Sequence, residues 1–220
     1  MTGGVKTDAR VASLDPRVRQ LVRIAGAIAG ASEGEMRAVM VDGKDEADSV
    51  AIEEIILQSY LFAGFPRALN AARAWRAVSG RAPITTDPEI DNANLDEWRA
   101  RGEKTCAIVY GESYEKLREN IRFLHPALDE WMIVDGYGKV LSRPGVDLKT
   151  RELCVVAACA VSGQQRQLHS HLRGALNAGA SKEELAAVID AISDMISVDE
   201  RDTYDLLLRK VVRDYSGSRS

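Results

Sequence analysis

Four side chains that could move protons or hold a polar group crowd into one short stretch. The segment SGQQRQLHSH, residues 162–171, carries Gln164, Gln167, His169 and His171, and its histidines are two of the three in the chain. The flanking patterns predict helices over about 148–161 and 165–177. If these pack as an antiparallel hairpin, Glu152 and His171 sit at similar heights, within about one turn at 1.5 Å of rise per residue. A carboxylate beside an imidazole is the minimum apparatus for general acid–base work, with the ring carrying the proton and the carboxylate orienting it. On the later helix Gln164, Gln167 and His171 fall at i, i+3 and i+7, a side that overlaps the apolar face of Leu168 and Leu172. Position alone equally describes a core histidine bonded to a carbonyl, which is the commoner case. It also allows glutamines that face solvent. A metal site fits less well, because His169 and His171 are two residues apart on a helix and point away from each other.

The elements that must position these groups announce themselves by their start and stop signals. In LDPRVRQLVRIAGAIAG, Asp15 is an N-cap with Pro16 at the first helical position, where proline's missing N–H costs nothing. ADSVAIEEIILQSYLFAG follows, with Ile52, Ile55, Ile56 and Tyr60 near one face and Gly64 as its stop. PRALNAARAWRAVSG reads as a third helix ending at Gly80. Residues 81–104 change composition, with prolines, Asp and Asn, and read as a linker. Beyond them two short helices divide at His125-Pro126, and a turn-rich approach leads to Asp147, the N-cap of the helix that carries Glu152. Leu153, Val156, Ala157 and Ala160 give that helix its buried face. Gly179 closes the histidine helix, and Ser181 with Glu184 forms a capping box for another. No stretch alternates as a strand would, so the fold class is all-α.

Two of these helical units repeat. LDPRVRQLVRIAGAIAG (14–30) and VDLKTRELCVVAACAVS (146–162) match in order, with Arg19 over Arg151 and Leu21 over Leu153. The chain therefore reads as two diverged helical-bundle repeats, 14–80 and 105–215, joined by 81–104. In the first repeat the positions of Glu152, Gln164, Gln167 and His171 are taken by Gln20, Ser32, Glu35 and Val39, so it lacks the histidine.

Composition narrows the partners. The 220 residues are 45% hydrophobic and 28% charged with a net charge of -4, and the basic residues are scattered among acids, which argues against nucleic acid. The first residues show no signal-peptide run and no segment has membrane-spanning length, so the expected location is the cytoplasm. Cys106, Cys154 and Cys159 are odd in number and lack CxxC spacing, which disfavours disulfides and zinc. Cys154 and Cys159 lie roughly 140° apart around one helix and read as small buried thiols.

Together LSRPGVDLKTREL, HLRGALNAGASKEEL and EEIILQSYLFAGFPRALNA resemble the carboxymuconolactone decarboxylases and their relatives, the alkylhydroperoxidase D-like proteins. That resemblance covers most of 14–80 and 105–210 and implies an all-helical, oligomerising unit in tandem form, with a homotrimer of two-repeat chains as the expected assembly. The peroxidase branch spaces a glutamate, eleven residues, a CxxC pair, three residues and a histidine. Here Glu152, Gln164, Gln167 and His171 keep the spacing with glutamines at both cysteine positions. An amide cannot be the thiolate that attacks a peroxide. The resemblance then implies the decarboxylase-like branch, without metal or cofactor, acting on a small anionic lactone or related acid of aromatic catabolism. His171 and Glu152 would be catalytic. Arg143 and Arg173 would hold a carboxylate, with Gln164, Gln167 and Phe65 also facing the substrate. A non-catalytic helical binding or assembly protein and a thiol peroxidase-like redox protein are the rival readings.

Overall fold

The computed structural model describes residues 14–91 and 94–217, and every regular element among them is helical. The reading of the first residues as lacking a signal peptide falls largely on 1–13, outside the described residues. Helix α1, Pro16–Gly30, starts on the Asp15 side chain, which accepts from the Arg17 N–H. Helix α2, Glu33–Gly43, is closed at its start by a capping box between Ser32 and Glu35. Helix α3, Ser49–Ala63, and helix α4, Phe65–Ser79, are separated only by Gly64, whose φ of 84° a side chain would resist. The next elements are the four-residue α5, Pro88–Asp91, then α6, Leu95–Tyr110, α7, Tyr114–Leu124, and α8, Pro126–Trp131. The chain runs on from α8 as a π-helical segment, Met132–Leu141. Helices α9, Leu148–Val161, α10, Gln165–Asn177, α11, Lys182–Ala191, and α12, Val198–Gly217, complete the order.

Helices α1 and α9, whose sequences match, lie against each other at the centre of the molecule. Their approach is close because α1 has glycines where α9 has bulk: a Cβ on Gly30 would sit 2.5 Å from Val161 Cγ1. Around this pair α2, α3 and α4 pack on one side and α10, α11 and α12 on the other. Ile52, Ile55, Ile56, Leu153, Val156, Ala157, Ala160, Leu168 and Leu172 are all buried, the faces expected from their spacing, while Tyr60 is half-buried.

A buried ion-pair network ties the two halves. Arg151, fully buried on α9, donates to Glu54 Oε2 of α3 at 2.8 Å and to the carbonyls of Val146, Arg143 and Pro144. Gln58 Nε2, one turn after Glu54, donates to the Arg151 carbonyl at 3.0 Å. The same Glu54 carboxylate takes a fork from Arg143, whose Nη2 also reaches Asp87 at 3.0 Å. Five guanidinium donors in a fixed plane suit arginine to this shared task.

Two stretches differ from their sequence reading. Helix α6 starts at Leu95, inside 81–104, because the Asn94 side chain accepts from the N–H groups of Asp96 and Glu97 and caps it. The supposed turn-rich approach is helical over Met132–Leu141. Its glycines serve contact rather than turning: a Cβ on Gly138 would lie 2.0 Å from the Trp98 carbonyl, and one on Gly102 of α6 would lie 2.0 Å from the Ile133 carbonyl. The two backbones touch where side chains are missing.

Candidate active site

Helix α9 places Glu152 facing α10, one residue after the Arg151 anchor. Helix α10 begins after Gly163, whose φ is 69°, and doubles back antiparallel. The pair predicted from spacing is formed: His171 Nδ1 lies 2.8 Å from Glu152 Oε2, with His171 5% exposed and Glu152 wholly buried. A carboxylate at Nδ1 favours the proton there and leaves the Nε2 lone pair for whatever meets the ring. Glu152 Oε1 is buried with no hydrogen-bond partner among the described residues. Gly174 makes the room, since a Cβ there would stand 2.7 Å from Glu152 Oε2.

His171 forms part of the wall of a cavity of about 640 Å³. Three layers of the fold meet there. From α3 come Tyr60, Leu61 and Phe62; from α6 comes Tyr110; from α7, α8 and the π-helical segment come Ile121, Leu128, Trp131, Met132, Asp135, Tyr137 and Leu141. Gln167 stands beside His171 on α10. The imidazole is held edge-on between two rings, with centroids 5.6 Å from Phe62 and 6.5 Å from Tyr110. Tyr110 in turn meets Tyr137 edge-on at 6.1 Å. Burial pushes both phenols above their ordinary range, Tyr137 most of all, so each remains a hydroxyl donor across the working pH range.

The other site residues named from sequence are placed differently. Gln164 is an exposed N-cap residue of α10 and does not reach the cavity. Phe65 is 64% exposed, because the Gly64 turn throws it outward at the start of α4; Phe62, three residues earlier, is the ring that meets His171. Arg143 is held by Glu54 and Asp87 away from the cavity. Arg173 lines a separate shallow cleft with Lys116, His169 and Asn120, on another side of α10. His169 is exposed there, pointing away from His171 as the two-residue spacing required.

All three cysteines are buried, and desolvation pushes Cys106 and Cys159 up to about 12 and Cys154 higher still. Thiols so placed stay protonated and unreactive. Among the described residues no group of three or more His, Cys, Asp or Glu side chains could hold a metal ion, and no helix is long and apolar enough to cross a membrane.

The model of the carboxymuconolactone decarboxylase family matches residues 111–200, the span from the end of α6 to the start of α12, which includes the Glu152–His171 pair. The chain is 32% identical over 96 residues to the 4-carboxymuconolactone decarboxylase of Acinetobacter baylyi, an alignment covering 43% of this chain and 72% of that protein. The chain belongs to the carboxymuconolactone decarboxylase family. It is also similar to peroxisomal protein 2 of Schizosaccharomyces pombe, 30% identical over 137 residues, which make up 61% of this chain and 63% of the yeast protein. A further relative is an uncharacterized 15.0 kDa protein of Paracoccus denitrificans, 39% identical over 72 residues, 32% of this chain and 54% of that one. Family membership accounts for α9 and α10. The walls of the cavity contributed by α3 and α6 lie outside the matched span, and sequence reasoning missed Tyr110 there, as it missed Asp135 and Tyr137 inside the span. For Asp135 and Tyr137 the one visible signal is the DGYG run of MIVDGYGKV, in the stretch whose sequence suggests turns.

Proposed function

We propose that this member of the family is an enzyme of the acid–base kind, transferring a proton at carbon next to the carbonyl of a lactone or related small molecule, without a cofactor. The observation that carries the reading is the buried Glu152–His171 pair in the wall of a cavity large enough for such a compound. His171 Nε2 exchanges the proton, and Glu152 holds the ring and stabilises its charged form. As carbon loses its proton, charge moves to the carbonyl oxygen, and a Tyr110 or Tyr137 hydroxyl donates to it. In a decarboxylating version, loss of CO₂ would send electrons along the same route, and His171 would deliver the proton that ends the step. The carboxylate anchors that version needs are not supported, since Arg143 and Arg173 stand outside the cavity.

The rival readings fare less well. Buried, proton-bound thiols give no support to a thiol peroxidase. A purely structural bundle gives no account of why the buried Glu152–His171 pair stands in the wall of a cavity. The test is hydrogen–deuterium exchange at carbon, followed by proton NMR in D₂O with a panel of γ-lactones. Protein-dependent exchange that disappears in Glu152→Gln is expected. Exchange equal to buffer across the panel, or unchanged in that variant, would overturn the proposal.

A further inference from the structure

The charge on the cavity wall is opposite to what a carboxylated substrate needs. Among its lining residues there is no lysine and no arginine, and the one carboxylate is Asp135. Nearby cations are committed elsewhere: Arg118 and Arg122 to Asp129, Lys139 to the face of Trp98, Arg143 to Glu54. Asp135 makes no hydrogen bond or ion pair with the described residues, and it is carried by the π-helical segment, a helical form that recurs at functional sites. Asp135 and Tyr60 both line the cavity, and the carboxylate adds to the burial that raises the Tyr60 phenol. The rest of the wall is aromatic and aliphatic, with tyrosine hydroxyls, Gln167 and His171 as its polar points.

From this wall we infer that the substrate is an uncharged, ring-shaped lactone or ketone, and that Asp135 is a specificity-determining residue that excludes carboxylates. A flat apolar body packs between Phe62, Tyr110 and Trp131, while a carbonyl finds hydroxyl donors. An anionic group brought into the same space meets a like charge in a partly desolvated site with nothing to pair it, the repulsive half of specificity. The inference rests on the proposed function only in taking the His171 cavity as the substrate site.

Two probes that differ by one carboxylate test it: γ-phenyl-γ-butyrolactone and its 4-carboxyphenyl analogue, titrated at pH 7.5 into the full chain with the His171 ring protons followed by NMR. The neutral lactone should move the His171 signals and bind at least about tenfold more tightly than the carboxylated one. Asp135→Asn should shrink that gap by tightening the carboxylated probe. Carboxylated probe binding as tightly as neutral, or a gap untouched in Asp135→Asn, would overturn the inference and leave the proton-transfer reading standing. If neither probe moves His171, the cavity is not a lactone site, and both readings fall together.

Discussion

In the α9–α10 hairpin a buried carboxylate meets a histidine nineteen residues on; in the α1–α2 hairpin, at the matching positions, a buried amide meets a backbone. Gln20 Nε2 donates to the Val39 carbonyl at 2.8 Å, just where Glu152 meets His171. The comparison extends to the helix starts. Ser32 and Glu35, matching Gln164 and Gln167, use their side chains in a capping box for α2, while Gln164 caps nothing with its side chain and Gln167 faces the cavity. Each hairpin has a glycine that admits its buried polar side chain: Gly43 beside Gln20, Gly174 beside Glu152. The hairpin's geometry is thus structural and can be kept by any side chain that satisfies the buried position. On the proposed reading, the second hairpin differs in that its buried group is titratable, meets a histidine and stands next to a cavity.

The largest expected effect concerns what joins the two regions. Glu54→Gln removes the carboxylate that Arg151 and Arg143 share, leaving Arg151 charged and buried, and should destabilise the protein by about 3–5 kcal/mol in urea unfolding. The matching arginine of the first hairpin, Arg19, is only half-buried, so Arg19→Met should stay within about 0.5 kcal/mol of wild type. Equal losses would erase the distinction. Gln20→Ala should come next, at about 1–3 kcal/mol, because it removes the buried hydrogen bond to the Val39 carbonyl and leaves a cavity where the amide packed. Lactone exchange by the folded fraction should not change, and a loss of activity beyond the loss of folded protein would give the first hairpin a chemical role.

Much of this contrast is legible in the amino-acid sequence. Asp15, Asp147 and the Ser181–Glu184 box cap helices as their types require, because capping is a local hydrogen bond decided by neighbours in sequence. The Glu152–His171 contact follows from helical rise and an antiparallel hairpin, again a short-range inference. The walls of the cavity are hidden for the opposite reason. Phe62, Tyr110 and Tyr137 reach the site from elements far away in sequence, and nothing in local periodicity says that a tyrosine ending one helix will stack on a histidine in another. The MIVDGYGKV segment misleads because glycine signals a turn by conformational freedom and a close contact by lack of bulk, and sequence alone does not separate the two.

The smallest expected effect is a lack of one. With thiols buried and raised to about 12 or beyond, none of Cys106, Cys154 and Cys159 should react with iodoacetamide at pH 8 in the folded protein, and all should react in denaturant. Organic hydroperoxide with a dithiol should likewise show no turnover above buffer. Fast labelling of any one thiol, read by intact mass, would reopen redox chemistry in the second hairpin.

The most direct test sets the two hairpins' central positions against function in one preparation. His171→Asn can keep a hydrogen bond to Glu152, so its melting temperature should stay near that of wild type while proton exchange on a competent lactone falls by about 100-fold or more. His169→Asn, exposed on another side of the same helix, should leave both unchanged. If His171→Asn instead lowers the melting temperature and the protein that remains folded exchanges protons at the wild-type rate, His171 is a core residue like its counterpart Val39, and the second hairpin carries no more chemistry than the first.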